Sequence, residues 1–392
     1  MTKNTSENAK ELPNGWELKK LANVCEKITD GTHQTPTYFD EGVIFLSSKN
    51  VTSGKIDWDN VKYIDNKQHI EMHKRVAPRL NDILLAKNGT TGVAAMVDRD
   101  VVFDIYVSLA FLRPLNIILP NYLLHYINSP QAKNQFNGRL KGAGVPNLHL
   151  EEIREVEIPL PPLKEQERIV QKLDTAFQSL DEAITLQKEN IAHTQELKKA
   201  VLVEQISNLS CEMKKLGEIT DNLDGKRKPV KSSDRQNLQG QYPYYGASGI
   251  IDYVNEYIFD GEFLLISEDG ANLVVRKTPI AFVATGKFWV NNHAHIVNAK
   301  AKVTTNRFLE YALSNTDISN FITGSAQPKL SQGKLNEIQI PIPPLPEQEK
   351  IVAYLDTIFA KLDTLMVEQQ ERLTQLMELK KSILQEAFEG KL

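Results

Sequence analysis

The sequence predicts an α+β protein with two mixed α/β domains, each followed by a long helix. Two observations support this fold class: a segment of 18 residues recurs 182 residues further along the chain, and short β-prone runs alternate with turn residues before each copy. A chain of 392 residues also exceeds one ordinary hydrophobic core. The predicted segments are a disordered tail at 1–14, domains at 15–160 and 209–340, and helices at 161–208 and 341–392.

The internal repeat is the strongest pattern in the chain. Residues 158–175, IPLPPLKEQERIVQKLDT, return as residues 340–357, IPIPPLPEQEKIVAYLDT, with 13 of the 18 positions identical. A weaker echo opens the two halves, as ELKKL at 17–21 and EMKKL at 212–216, and a Gly/Pro loop precedes each copy, at 142–146 and 324–328. Two copies at this spacing indicate duplicated domains, because the units of solenoid repeats are far shorter.

The repeated segments carry the signals of helix starts. The Pro-Pro pairs at 161–162 and 343–344 cannot lie inside a helix, and glutamates occupy the first turn that follows each pair. Apolar residues then recur at steps of three and four: Ile169, Leu173, Phe177, Leu180 and Ile184, and in the second copy Ile351, Leu355, Ile358, Leu362, Leu365, Leu373, Leu376 and Ile383. A helix from about 164 to 206 would be on the order of 65 Å long. We expect the two helices to pack together; the alternative is that each packs only on its own domain.

The blocks between the repeats predict short strands and helices. Val, Ile, Leu and Phe cluster in runs bounded by Gly, Asn and Asp, at 43–46, 83–86, 101–103, 263–266 and 280–283. Short helices are predicted near 120–137 and 305–323, directly before each Gly/Pro loop. The blocks therefore read as mixed α/β domains.

Several loops carry side chains suited to nucleic acid. Amide, hydroxyl and ammonium groups can contact base edges or phosphates, and the candidates are Lys87, Asn88 and Thr90 after a predicted strand, Asn147, Gln327 and Lys329 in or beside the Gly/Pro loops, and Lys226, Arg227, Lys228 and Lys231 in the densest basic run. Each has a plainer alternative. The first loop and its counterpart at 267–272 could be tight turns, the basic run a solvated loop, and the Gly/Pro loops a simple closure of the domain.

One pair of histidines and one pair of acidic residues are weak candidates for a metal site and for acid/base catalysis, respectively. His293 and His295 alternate as on a strand, which predicts that they face the same side, but they lack a third metal ligand nearby. We interpret them as core or surface histidines. Glu268 and Asp269 are adjacent, and neighbouring side chains usually point apart, so they make a poor acid/base pair.

Composition and missing motifs favour a binding protein. Cys25 and Cys211 suit a reducing cytosol, no apolar run reaches membrane-spanning length, and the polar amino terminus lacks a secretory signal. The net charge of −4 resides in the predicted helices at 161–206 (−2) and 341–392 (−3), so the remainder carries +1 and permits phosphate binding. We find no phosphate-binding loop, no zinc-hydrolase motif, no nucleophile elbow, and no amino-methyltransferase tetrapeptide.

Two dissimilar domains, each ending in an IPxPPLxEQExIV helix, resemble the specificity subunits of type I restriction–modification systems. Further segments are similar to that family: DGTHQTP at 30–36, GVIFLSSKN at 42–50, YYGASG at 244–249, GEFLLISEDGAN at 261–272 and NNHAH at 291–295. The resemblance runs from about residue 15 to the end. It departs from the family pattern where Trp16, typical at a domain start, has no counterpart before Glu212, which leaves the start of the second domain open.

The resemblance implies a fold, a function and partners. Two target-recognition domains with pseudo-twofold symmetry would each read half of a bipartite double-stranded DNA target, and the two helices would lie antiparallel as a coiled-coil-like spacer that sets the interval between half-sites. The resemblance also implies DNA contacts at Thr32 and His33. The helices would dock two methylation subunits, with contacts expected at Glu165, Gln166, Arg168, Glu347, Gln348 and Lys350. Restriction subunits would join them in the cytoplasm. S-adenosylmethionine, ATP and Mg would bind those partners, and this chain would hold no cofactor or metal.

Two other functions compete with this interpretation. One is a self-sufficient DNA methyltransferase or nuclease whose motifs have drifted, which would transfer methyl groups without partners. The other is a coiled-coil adaptor with no nucleic-acid role. An adaptor gives no reason to duplicate a helix and diversify the domains between the copies, so the DNA-reading function is preferred.

Overall fold

The computed structural model describes residues 12–140, 147–324 and 326–392. The predicted tail up to residue 11 and the Gly/Pro loop at 142–146 lie outside the described residues. The chain forms two compact units: unit 1 comprises Met1–Lys188 with Glu371–Leu392, and unit 2 comprises Glu189–Gln370. Among the described residues, no helix has both the length and the apolar content to cross a membrane.

Unit 1 contains small sheets flanked by short helices. Its strands are β1 (Glu17–Lys20), β2 (Cys25–Asp30), β3 (Val43–Leu46), β4 (Lys62–Ile64), β5 (Ile83–Ala86), β6 (Ala94–Met96), β7 (Phe103–Ile105), β8 (Leu109–Pro114) and β9 (Glu157–Leu160). Its helices are α1 (Leu21–Val24), α2 (Asn66–His73), α3 (Pro120–Ile127), α4 (Pro130–Asn137), α5 (Leu150–Arg154) and the first part of α6 (Leu163–Ser207). The sheets have the strand orders β2-β8-β5-β6, β4-β3-β7 and β1-β9.

Unit 2 is built around a six-stranded sheet. Its strands are β10 (Glu212–Lys215), β11 (Thr220–Asn222), β12 (Gln239–Gly246), β13 (Gly249–Val254), β14 (Phe259–Ser267), β15 (Ala281–Val290), β16 (Ala294–Ala299) and β17 (Gln339–Ile342). Its helices are α7 (Leu216–Ile219), α8 (Ser232–Arg235), α9 (Asn272–Val275), α10 (Asn306–Asn315), α11 (Gln332–Glu337) and the first part of α12 (Leu345–Phe388). The main sheet has the order β11-β16-β14-β15-β12-β13, and β10 pairs separately with β17.

A two-stranded ribbon precedes each long helix. β1 pairs antiparallel with β9, and β10 pairs antiparallel with β17. β1 and β10 carry the similar segments at the front of the two halves. Each of them pairs with the Ile-Pro segment that begins a copy of the repeat. The Pro-Pro pair follows each ribbon and forces the chain out of the strand before the helix begins. Sequence analysis predicted extended chain here but missed the pairing.

The long helices confirm the predicted spans, and they pack on each other inside each unit. In unit 1, Asp181 of α6 and Lys380 of α12 form an ion pair of 2.5 Å, while Leu384, Ala387 and Phe388 enter the same core as Ile169, Leu173 and Phe177. Residues further along α6 contact residues nearer the start of α12, so the two helices run antiparallel. In unit 2, Lys198 and Asp363 form the equivalent 2.5 Å pair, and Thr194 donates to Gln369 over 3.2 Å. The alternative of helices packed only on their own domains is therefore excluded within each unit.

Burial modifies two predictions of the sequence analysis. Leu365 was assigned to the apolar seam but is 41% exposed. Val101 and Val102 were assigned to a strand, yet they are exposed and β7 begins only at Phe103. Branched side chains favour strands only where a neighbouring layer covers them, which is not the case for these two valines. The other strand predictions coincide with or overlap β3, β5, β14 and β15, and the helical regions near 120–137 and 305–323 are confirmed by α3, α4 and α10.

Candidate nucleic-acid interface

The loop after β5 is joined to the segment before α5. The Leu148 amide donates to the Lys87 carbonyl over 3.0 Å, and Asn88 bridges Asn147 in antiparallel fashion. Gly89 adopts a φ of +75°, a conformation that glycine supplies at little cost, so the tight-turn interpretation holds for the backbone. The turn leaves Thr90 exposed and Asn88 half-buried. The loop after β5 and Asn147, both proposed from sequence, thus lie side by side.

A buried carboxylate supports this surface from below. Asp30, at the end of β2, accepts from the ammonium of Lys87 over 2.6 Å and from Arg75 over 2.5 Å, and His33 lies 3.2 Å away. Burial alone would raise the pKa of Asp30, but the hydrogen bonds from Lys87 and Arg75 outweigh it and lower that pKa. The side chain of Lys87 is only 8% exposed. Its ammonium is therefore committed to Asp30 and orders the loop.

Three other sequence-predicted residues of unit 1 differ in accessibility. His33 is 64% exposed and can reach a ligand. Thr32 is buried, and its hydroxyl accepts from the Gln34 amide over 3.2 Å. The Oδ1 atom of Asn147 is buried and has no hydrogen-bond partner among the described residues. At Gly31 a Cβ atom would lie 1.9 Å from the Ile105 carbonyl oxygen, so only glycine allows this close approach of the loop to β7.

Unit 2 repeats the same loop arrangement. The Leu330 amide donates to the Glu268 carbonyl over 2.8 Å, and Asp269 bridges Lys329 just as Asn88 bridges Asn147. The loop after β14 is therefore the structural counterpart of the loop after β5, as the sequence comparison predicted. Both units place the end of a central strand beside the segment that leads into the last short helix before the β-ribbon.

A second charged cluster, built around the buried His295, lies beside the loops of unit 2. The Nδ1 atom of His295 is 2.6 Å from Asp224, and its Nε2 donates to the Leu330 carbonyl over 2.7 Å. Arg227 pairs with Glu268 over 2.8 Å, and Lys329 lies 3.3 Å from the same carboxylate. His295 is 1% exposed, which supports its interpretation as a core histidine. The cluster orders the loops as Asp30 does in unit 1.

His293 corrects one geometric expectation. It lies in the turn before β16, whereas His295 lies within that strand, so the predicted strand alternation does not apply. His293 is 48% exposed and contacts Asp269 over 2.8 Å. Each of the two histidines therefore has its own carboxylate partner.

The basic run at 226–231 divides into one buried and three exposed cations. Arg227 is 13% exposed and also donates to the Ala294 carbonyl over 2.6 Å. Lys226, Lys228 and Lys231 are exposed, as are Gln327 and Lys329. The Lys228 carbonyl is held by the indole of Trp289 over 2.6 Å. The run is thus anchored at two points while its lysine side chains remain available to a phosphate backbone.

Sequence analysis missed the charged clusters that support both surfaces. Asp30 with Arg75, and Asp224 with Glu268 and His295, are brought together from distant positions. One sequence signal could have indicated them. An Asp-Gly pair lies at or just after the end of β2 and of β11, at 30–31 and at 224–225.

The proposed docking residues on the helices fall into two groups. Gln166 and Gln348 are fully buried, so the structure removes their side chains from the accessible surface and corrects their assignment as partner contacts. The Gln166 amide binds backbone groups of unit 1, and the Gln348 amide binds two carbonyls and the Thr304 hydroxyl of unit 2. Glu165 and Arg168 form a bidentate pair with distances of 2.7 and 2.8 Å, and Glu347 and Lys350 are exposed.

Burial raises the pKa of the Cys25 thiol to about 12, so it carries no thiolate at neutral pH.

Comparison with known proteins agrees with this duplicated arrangement. Residues 13–193 and 208–375 match the model of the type I restriction modification DNA specificity domain. The chain is 23% identical to the StySPI specificity subunit of Salmonella potsdam, covering 98% of this chain and 91% of that one. It is 24% identical to the EcoKI specificity subunit of Escherichia coli K12, covering 98% and 90%. A 47% identical match to a type I specificity subunit of Haemophilus influenzae covers only 38% of this chain and 37% of that relative.

Two solved structures share the fold. A chain from the structural study of complex assembly and conformational transition of the type I R-M system superposes with a TM-score of 0.74 at 22% identity, covering 97% of this chain and all of that one. The HsdS subunit of Thermoanaerobacter tengcongensis gives a TM-score of 0.51 at 23% identity, covering 99% and 100%. With the family model matched over most of the chain, this protein belongs to the type I restriction–modification specificity-subunit family, and it carries one DNA specificity domain in each half.

Proposed function

We propose that each unit reads one part of a split double-stranded DNA target, and that the long helices set the interval between the two parts. The observation that carries this proposal is the recurrence of one loop arrangement in both units. In each, a loop after a central strand is bridged to the segment before the last short helix and rests on a buried charged cluster. The side chains on that support differ between the units, as expected if the units read different bases.

The accessible side chains divide into phosphate and base contacts. Lys226, Lys228 and Lys231 are exposed on an anchored backbone, which suits contact with phosphates. Asn147 and Gln327 carry amide groups that can pair with adenine edges in the major groove. Gln327 is exposed, whereas the Oδ1 atom of Asn147 is buried without a hydrogen-bond partner among the described residues, so a base contact by Asn147 would require its side chain to rotate outward.

Catalysis is assigned to partner subunits. Methylation subunits would dock on the helices through exposed charges such as Glu347 and Lys350, and would modify adenine with S-adenosylmethionine after the base is flipped from the duplex. Restriction subunits would add ATP- and Mg-dependent cleavage. In this proposal the chain contributes target choice, geometry and docking surface, and it holds no cofactor of its own.

A binding experiment tests the assignment. Filter binding of randomised duplexes to the chain with its methylation subunits should select a motif with two fixed parts and an unspecified gap. Lys228→Ala and Lys231→Ala should each weaken binding to all sequences and reduce the salt slope by about 0.9. Asn147→Ala should cost roughly 1–3 kcal/mol at one part of the motif only.

Two controls separate the competing functions. Lys199→Ala, at an exposed position on α6, should leave affinity and salt slope unchanged. Incubation of the chain alone with DNA and S-adenosylmethionine should give no methyl transfer, and clear transfer would favour a self-sufficient enzyme. Absence of any DNA affinity, with or without methylation subunits, would favour the coiled-coil adaptor.

A further inference from the structure

A cluster of two histidines and one aspartate includes none of the residues assigned to DNA contact. His69 and His73 are one helical turn apart on α2, and Asp104 lies on β7 beneath them. The Nδ1 atom of His69 is 2.7 Å from one carboxylate oxygen of Asp104, and the Nδ1 atom of His73 is 2.9 Å from the other. Asp104 is 1% exposed, whereas the two imidazoles are 20% and 30% exposed. The donors thus converge on one point that remains open to solvent on the histidine side.

The donor set is that of a zinc-class ion. One nitrogen from each imidazole and one oxygen of Asp104 lie within 4.8 Å of one another. Around a tetrahedral zinc ion, nitrogen and oxygen ligands would be separated by about 3.3 Å. The two histidine–carboxylate contacts, which engage different oxygens of Asp104, are about 0.4 to 0.6 Å shorter than that separation. Two histidines at i and i+4 on one helix face are a recurrent pair of zinc ligands.

The charge around the cluster also favours a cation. Among the described residues, Asp104 has no lysine or arginine partner, and its carboxylate contacts the two imidazoles. The cluster of Asp224, Glu268 and His295 has comparable spacing but differs in this respect. There Arg227 and Lys329 already neutralise Glu268, and both nitrogens of His295 are engaged. The neighbouring charges, and not the spacing, thus distinguish a cluster open to a metal from one already paired with protein cations.

We propose that His69, His73 and Asp104 bind one divalent transition-metal ion of the zinc class, with water completing the coordination. Imidazole nitrogens suit zinc, copper, nickel and cobalt, whereas magnesium and calcium prefer oxygen ligands. The ion would bind the Nδ1 atoms in place of their contacts with the carboxylate, each neutral imidazole would carry its proton on Nε2, and the ion would tie α2 to β7. This site does not depend on the assignment of the DNA-reading loops.

Bound metal would stabilise the elements that support the DNA-facing loop of unit 1. Arg75, two residues beyond His73, donates to the carboxylate of Asp30 over 2.5 Å and to its carbonyl over 3.0 Å. On the other side, the Thr32 amide donates to the carbonyl of Ile105, the neighbour of Asp104, over 3.0 Å. The metal would thus fix both anchors of the segment from Asp30 to His33.

Metal titration of the full chain, without an affinity tag and after chelator treatment, tests the site. Cobalt should bind with one equivalent per chain and give the visible absorption of a four- or five-coordinate ion, and zinc should displace it. Zinc should also raise the thermal midpoint, whereas magnesium should not. His73→Gln, which keeps a hydrogen-bond donor for Asp104 but removes a nitrogen ligand, should weaken zinc binding by more than the roughly 10- to 100-fold lost with an outer hydrogen-bonding partner.

His293→Ala is the matched control, since His293 forms a comparable 2.8 Å contact with Asp269 but has no second histidine beside it. It should leave zinc affinity unchanged. Circular dichroism of the metal-free His73→Gln chain verifies its fold. Equal zinc affinity in the wild-type and His73→Gln chains, or absence of a cobalt spectrum in the wild type, overturns the proposal and leaves the cluster as a hydrogen-bonded brace. The metal-binding measurements alone test this site, so an effect of His73→Gln on DNA binding neither supports nor contradicts the proposal.

Discussion

Replacing Gln166 by Met should destabilise the start of α6 by about 3 kcal/mol, because it removes three buried hydrogen bonds worth roughly 1 kcal/mol each. The Oε1 atom of Gln166 accepts from the Leu119 amide over 2.9 Å, and its Nε2 donates to the carbonyls of Ile117 and Pro161 over 3.0 and 2.8 Å. Methionine fills a similar volume, so the change leaves little cavity. The Leu119 amide is then left without its acceptor.

The second copy of the repeat supplies an internal comparison. Gln348 donates to the carbonyls of Val303 and Pro343 over 2.9 and 2.8 Å, but its Oε1 accepts from the hydroxyl of Thr304 rather than from an amide. A hydroxyl can rotate towards another acceptor, whereas a backbone amide cannot. Gln348→Met should therefore cost about 2 kcal/mol, less than Gln166→Met.

Hydrogen–deuterium exchange of peptides that cover the two helix starts measures this difference. A loss of about 3 kcal/mol corresponds to exchange on the order of 100-fold faster at the start of α6, confined to unit 1. Glu167→Met, at the adjacent exposed position, should change exchange little. Unchanged protection in Gln166→Met together with lost binding of a methylation subunit would refute the reasoning and restore the docking role of this residue.

Three further perturbations have defined outcomes. Phe388→Ala should destabilise unit 1 by about 3–5 kcal/mol in urea unfolding followed by Trp58 fluorescence, because the ring is 4% exposed and packs edge-on against two tyrosines; a loss below about 1 kcal/mol would contradict that packing. Lys380→Ala should cost no more than about 1 kcal/mol, an effect that salt diminishes, because its 2.5 Å pair with Asp181 is exposed; a large, salt-independent loss in the same assay would disagree. Asp30 has a lowered pKa, so its contribution is present above the ordinary value of 3.8 and is lost as the pH falls through the lowered one. The stability difference between the wild type and Asp30→Asn should therefore shrink below pH 3.8 in urea unfolding at stepped pH, and a difference that stays constant would show that the carboxylate charge contributes nothing.

The helices were predictable because their signals are local. A Pro-Pro pair, a glutamate in the next turn and apolar residues at steps of three and four lie within a few residues of each other. They predicted a helix from about 164 to 206, and α6 spans Leu163–Ser207. The repeat also predicted that the two helices pack together, and the ion pairs of Asp181 with Lys380 and of Lys198 with Asp363 lie at positions related by the interval of 182 residues.

The charged supports of the loops were not predictable, because their members are far apart in the chain. Asp30 and Lys87 are separated by 57 positions, and Asp224 and His295 by 71. Only the folded sheets bring them together. A lysine after a strand is the same sequence feature whether its ammonium faces a phosphate or a buried carboxylate, and burial decides between the two. The same reason explains why Gln166 was assigned to a docking surface although its amide lies inside the unit.

Methylation-sensitive long-read sequencing tests the central claim most directly, in cells that carry this chain with its methylation subunits. The account predicts adenine modification in a motif of two short parts with a gap of constant length. Replacing residues 209–340 with the equivalent block of a relative should change one part of the motif and leave the other part and the gap intact. A continuous motif, or a simultaneous change of both parts, would contradict the assignment of one reading surface to each unit.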